Sequence, residues 1–224
     1  MIESLQHELD SFGLKLRGIT NFTAEEIIRY DFSGKSIALV GNVGSSYWDF
    51  FAASPEFVDS LSESLDRWSQ RVAESIRTKL DLKPVYPFTG PPYYPFQQWA
   101  GRAETQFKSP LGLMIHPQFG LWHSYRFGLI LPDLFDSIVK VENSPCLNCA
   151  DQPCLNVCPV SAFSADGYDA DGCATYLNSN SSAGCYQEGC QARLACPVGA
   201  SFRYKTDQHL FHLGAFLQSR PTAD

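Results

Sequence analysis

All eight cysteines of this chain fall between Cys146 and Cys196, and no other segment contains one. They form two groups of four. The first holds Cys146, Cys149, Cys154 and Cys158 and closes on Pro159; the second holds Cys173, Cys185, Cys190 and Cys196 and closes on Pro197. Eight thiols confined to one short stretch bind either one another or a metal, and that choice dictates how this part of the chain folds.

Iron–sulfur chemistry accounts for the pattern best. Each iron of a cubane takes one thiolate, and closely spaced cysteines on a loop supply three of the four. The fourth stands at the start of a helix leading away, and in two-cluster ferredoxins it ligates the other cluster. A proline suits that place, because it presets φ near −65° and removes an N–H that would lack a partner. Applied here, the rule assigns Cys146, Cys149, Cys154 and Cys196 to one [4Fe–4S] cluster. Cys158, Cys173, Cys185 and Cys190 go to the other. Two alternatives use the same eight residues. Disulfides would explain an even count, but nothing else marks the chain as secreted. Two zinc sites would also consume eight thiolates, yet zinc gains nothing from a Cys-Pro ending.

With 224 residues, 44% of them hydrophobic, the chain can bury a core of one or two domains. A formal charge of −7 argues against bulk binding to phosphate backbones, so nucleic acid is not an expected partner. The N-terminus has no basic start and no long apolar run, and no stretch of about 18 apolar residues could span a membrane. A cytoplasmic location is therefore expected, where a reducing environment protects thiolates and clusters.

Along the chain, residues 2–12 read as a short helix, 14–19 as a strand, and Thr23 to Glu26 as a capping box opening a helix to about Tyr30. Ser36 to Val40 reads as an apolar strand. Gly41 and Gly44 follow without dinucleotide-loop spacing, so a tight turn is expected. Ser54-Pro55-Glu56 begins a helix running to about Leu80, with Leu61, Leu65, Trp68, Val72, Ile76 and Leu80 on its core face. Asp66 lies off that stripe. Residues 84–99 are crowded with prolines and aromatics, a stiff loop either packed on the core or lining a pocket for a flat cofactor. Residues 201–217 form a mixed tail expected to dock on the body of the protein.

A lone Cys173 followed by Tyr176-Leu177, then a gap, a cysteine pair and Cys196-Pro197, resembles the ferredoxin module of epoxyqueuosine reductases. The stretch Leu111 to Leu131, with Phe119, Gly120 and Trp122, is similar to the segment of that family in which two strands flank a turn bordering cobalamin. These enzymes are related to reductive dehalogenases, and both use cobalamin beside two [4Fe–4S] clusters. The resemblance implies a short form without the family's C-terminal helical repeats. It implies an α+β protein: a nitroreductase-like, cobalamin-scaffold-like α/β domain over 1–141 and a two-cluster ferredoxin-like domain over 142–224. Asp66 matches the position of the family's Asp-Tyr-His acid, although Asp66-Arg67-Trp68 stands here, and it is the candidate catalytic residue. His116 and His123 are read as structural. The expected function is one-electron transfer with a redox partner protein as donor. The alternative is a cobalamin-dependent reductase, or a reductase of the corrinoid itself.

Overall fold

A computed structural model of the chain describes residues 1–136, 142–164 and 166–220. The fold is mixed α/β. In chain order come α1 (Ile2–Asp10), β1 (Lys15–Asn21), α2 (Ala24–Tyr30), β2 (Ser36–Val43), α3 (Trp48–Ala52), α4 (Pro55–Val58), α5 (Ser64–Leu80), β3 (Pro84–Val85) and α6 (Phe96–Ala103). A short ladder of β4 (Phe107–Lys108) and β5 (Met114–Ile115) follows, then the long β6 (His123–Leu131). The cysteine segment is assembled from short pieces: α7 (Pro153–Asn156), β7 (Phe163–Ser164), β8 (Gly167–Tyr168), α8 (Ala170–Ser179), α9 (Gly184–Gln187), α10 (Gln191–Leu194) and finally α11 (Thr206–Gln218). Two compact units result. The first is Met1–Thr105 with His123–Val141, and the second is Gln106–Trp122 with Glu142–Asp224. The segment between α6 and β6 thus belongs with the cysteines. The single joint expected at 141–142 borders residues 137–141, which lie outside the described residues.

The first unit is built on an antiparallel sheet of order β1-β2-β6-β3. β2 is central and buried along nearly its whole length, which is why it reads as a continuous apolar run rather than an alternating one. Alternation sends Ile37 and Leu39 to one face, where they join Ile130, Val85, Phe22, Phe32 and Trp99 of α6 in one core. Ala38 and Val40 point the other way. Trp68 of α5 packs with Tyr47 and Phe51, at ring-centroid distances of 5.6 and 5.7 Å. The capping box forms as its sequence demands: Glu26 N donates to Thr23 Oγ1 at 3.1 Å and Thr23 N donates to the Glu26 carboxylate at 2.9 Å. The same carboxylate accepts from Trp99 Nε1 at 2.9 Å and from Arg102 Nη2 at 2.8 Å, so a local cap also ties α2 to α6.

The helix expected over residues 54–80 is two helices. The chain breaks between Val58 and Ser64, where Ser60 and Glu63 adopt positive φ, 58° and 54°. Leu61 continues the apolar period in sequence but falls in this break and is 64% exposed. Periodicity cannot detect such a break, because the break is set by backbone conformation. Leu65, Trp68, Val72 and Ile76 are buried as expected. In the proline-rich segment, Tyr94, Phe96 and Trp99 turn onto the core around Phe32, while Tyr93 stays exposed.

The second unit has a small apolar core of Leu111, Ile115, Leu121, Ala192 and Cys196, with Cys146, Cys154, Cys158 and Cys190 packed against it. Two glycines close this unit. A Cβ on Gly120 would lie 2.0 Å from Val198 O, and one on Gly199 would lie 2.3 Å from Phe119 C; both glycines have positive φ. Arg193 reinforces the junction. Its guanidinium sits 4.2 Å from the Trp122 ring and 4.5 Å from the Tyr204 ring, and it donates to Leu121 O. The tail of the chain forms α11, which buries Gln208 and Leu213 in this unit.

Candidate metal centre

The eight cysteines carry no disulfide. They sort into two fours around separate cavities of the second unit. One cavity is lined by Cys146, Cys149, Cys154 and Cys196 together with Ser109, Leu111, Ile115 and Leu121. The other is lined by Cys158, Cys173, Cys185 and Cys190 together with Phe163, Tyr168, Arg193 and His209. No three His, Cys, Asp or Glu side chains among the described residues converge on a site for a single metal ion.

Electrostatics follow the same division. Burial pushes the Cys154 thiol up, and Cys196, Cys149 and Cys146 push it further. Burial also raises Cys196, opposed by the Val198 N–H and assisted by Cys146 and Cys149. In the other cavity burial raises Cys173; a hydrogen bond from Tyr168 opposes this, and Cys158 and Cys185 add to it. Cys190 is raised by burial and by Cys185 and Cys173, against hydrogen bonds from the Arg193 and Ala192 backbone. Backbone donors reach other sulfurs as well, with Ala162 N at 3.4 Å from Cys158 Sγ.

These residues fit an iron–sulfur cluster in each cavity. Each has four thiols, a largely apolar lining, and N–H donors directed at sulfur. A further sign is the placement of unsatisfied polar groups. Among the described residues, two of the buried side chains with an unpartnered atom line these cavities, Ser109 the first and Arg193 the second. Native interiors leave few such groups. Sequence reasoning did not identify Ser109, Leu111, Tyr168 or His209 as site residues. None stands in a cysteine motif, and Ser109 and Leu111 reach the site only because residues 106–122 fold into this unit.

Asp66 lies in the first unit, on α5. Burial raises its carboxyl, outweighing Arg126, which pairs with it. Beyond it, Arg17 stands at a β-bulge of β1 and is 7% exposed. It donates to Asn42 O at 2.9 Å and to both oxygens of Glu104 at 2.9 and 3.1 Å, and lies 3.3 Å from His123 Nδ1. Tyr125 donates to the same carboxylate, and burial still leaves Glu104 raised. His123 is thus engaged structurally. His116 accepts from Gln118 N and Phe119 N at 3.0 and 3.2 Å and stacks on Phe119, holding its own turn.

No family model matches the chain, and no curated protein matches it. Among solved structures it has the fold of an epoxyqueuosine reductase from Streptococcus thermophilus, with a TM-score of 0.50 and 16% identity over 89% of this chain. The chain spans 66% of that reductase's length. The Bacillus subtilis epoxyqueuosine reductase aligns with 94% of this chain and 69% of its own, at 16% identity and a TM-score of 0.48. A B12-trafficking protein of C. elegans aligns with 100% of this chain and 98% of its own, at 14% identity and a TM-score of 0.49.

The raised thiols carry a pH dependence with a definite sign. A thiol held above its ordinary value is protonated at neutral pH and must release that proton to become a ligand, so metal affinity rises with pH. Anaerobic uptake of ferrous iron and sulfide by the metal-free chain should strengthen between about pH 7 and pH 9 and release protons into weakly buffered solution. Uptake that ignores pH over this range would contradict the thiol environments described.

Proposed function

We propose that this chain is an iron–sulfur electron-transfer protein with two [4Fe–4S] clusters. Cys146, Cys149, Cys154 and Cys196 would hold one, and Cys158, Cys173, Cys185 and Cys190 the other, in a ferredoxin-like unit. The reading is carried by the gathering of eight thiols, four to a cavity, in the grouping that two-cluster ferredoxins use. Bound clusters supply one-electron chemistry at potentials set by burial and by hydrogen bonds to sulfur. The chain's own residues supply the ligands, the apolar walls and the N–H donors. A redox partner protein is the electron donor, and a reducing cytoplasm keeps the thiols available. No helix among the described residues is long and apolar enough to cross a membrane.

A second reading is favoured by one observation, the fold shared with an epoxyqueuosine reductase. In it the first unit binds a corrinoid, and the chain is a cobalamin-dependent reductase or a reductase of cobalamin. Asp66, half-buried with a raised carboxyl beside Arg126, would be the proton source. The net charge of −7 gives nucleic acid no general attraction in either reading.

Replacing Cys149 by alanine should cost about half of the bound iron and sulfide, because one cluster loses a ligand while the other keeps all four. Retention of the full metal content would show the ligand grouping to be mistaken. Anaerobic titration with cob(II)alamin, followed by EPR, separates the two readings. A stoichiometric change to a base-off cobalt signal supports the reductase, and an unaltered cobalt signal supports the carrier.

A further inference from the structure

Ser109 stands in the loop between β4 and β5, with its backbone committed to the local turn: Ser109 N donates to Leu113 O at 2.9 Å and Gly112 N donates to Ser109 O at 3.0 Å. The residue is 6% exposed, and its hydroxyl has no hydrogen-bond partner. It lines the same cavity as Cys146, Cys149, Cys154 and Cys196. The rest of that wall is largely apolar, formed by Pro110, Leu111, Ile115, Leu121, Pro145, Pro153, Pro197 and Val198 beside Gln152. A buried hydroxyl without an acceptor is costly, and interiors rarely keep one. Among the side chains lining the cavity, acceptors belong to the four cysteines and Gln152.

We propose that the Ser109 hydroxyl donates a hydrogen bond to sulfur of the cluster held by Cys146, Cys149, Cys154 and Cys196, and so raises the reduction potential of that cluster alone. The inference rests on the two-cluster reading above. Reduction adds negative charge to the cluster, and a hydrogen bond to sulfur stabilises the more negative state. The donor comes from residues 106–122, the segment inserted between α6 and β6. The fold therefore uses a piece of chain far from the cysteine motifs to set one potential. The other cavity lacks this serine and has Tyr168 bonded to the Cys173 sulfur in its place.

The test is an EPR-monitored redox titration of the full chain, with the two signals assigned by the Cys149→Ala variant. Ser109→Ala should move only the signal that Cys149→Ala removes. The shift should be to more negative potential by about tenfold in the reduction equilibrium, about 59 mV for a one-electron couple. Ser109→Thr, which keeps the hydroxyl, should titrate as the native chain. If Ser109→Ala loses the cluster while Ser109→Thr keeps both cluster and potential, the hydroxyl is again the cause. Unchanged potentials in Ser109→Ala would overturn the proposal. So would a shift in Ser109→Thr equal to that in Ser109→Ala, or loss of the cluster in both, since packing would then explain the effect. A native chain that binds no iron and sulfide would instead refute the two-cluster reading itself.

Discussion

Gly120 and Gly199 meet backbone to backbone, at a separation that leaves no room for a Cβ on either. This contact brings the Phe119–Trp122 turn against the chain that follows Cys196. It thereby sets where the last cysteine lies relative to Leu111, Ile115 and Leu121, which wall the cavity. Arg193, held between Trp122 and Tyr204, secures the same junction with a cation that is costly to move once desolvated. None of these three residues carries a thiol. They add to the direct packing of α10 on α7, which brings Cys196 near Cys146 and Cys154 although these lie far back in the chain.

That constraint explains why a unit built of such short elements can exist. Its helices other than α8 and α11 are single turns, and its apolar core is small. A core of this size provides little stability alone, so bound clusters would contribute to the fold as well as to function. The first unit is the opposite case. Its sheet is covered by Trp68 on α5 and Trp99 on α6, α2 and α4 carry side-chain N-caps, and its buried Arg17–Glu104 pair is held by several partners.

Much of this architecture is legible in the sequence, where local chemistry decides the outcome. Thr23 and Glu26 announce a helix start because the two side chains satisfy each other's backbone donors. Leu65, Trp68, Val72 and Ile76 announce a buried face because a helix has one period. The division of the cysteines follows from the geometry of a cluster that needs four thiolates from two stretches of chain, and it remains a proposal. The break at Ser60 to Glu63 is illegible because Leu61 keeps the apolar period while the backbone leaves the helix. The attachment of residues 106–122 to the cysteines is illegible too. It depends on two distant glycines and one arginine, and neither type carries a positional signal alone. Ser109 is hidden for the same reason, since its partners are defined only once that segment is in place.

The central claim is that the eight thiols hold two cubane clusters. It is tested most directly by iron, zinc and acid-labile sulfide analysis of anaerobically purified chain, combined with Mössbauer spectroscopy. The account predicts about eight irons and about eight sulfides per chain, all in cubane environments. About two zinc ions per chain with no sulfide would contradict it.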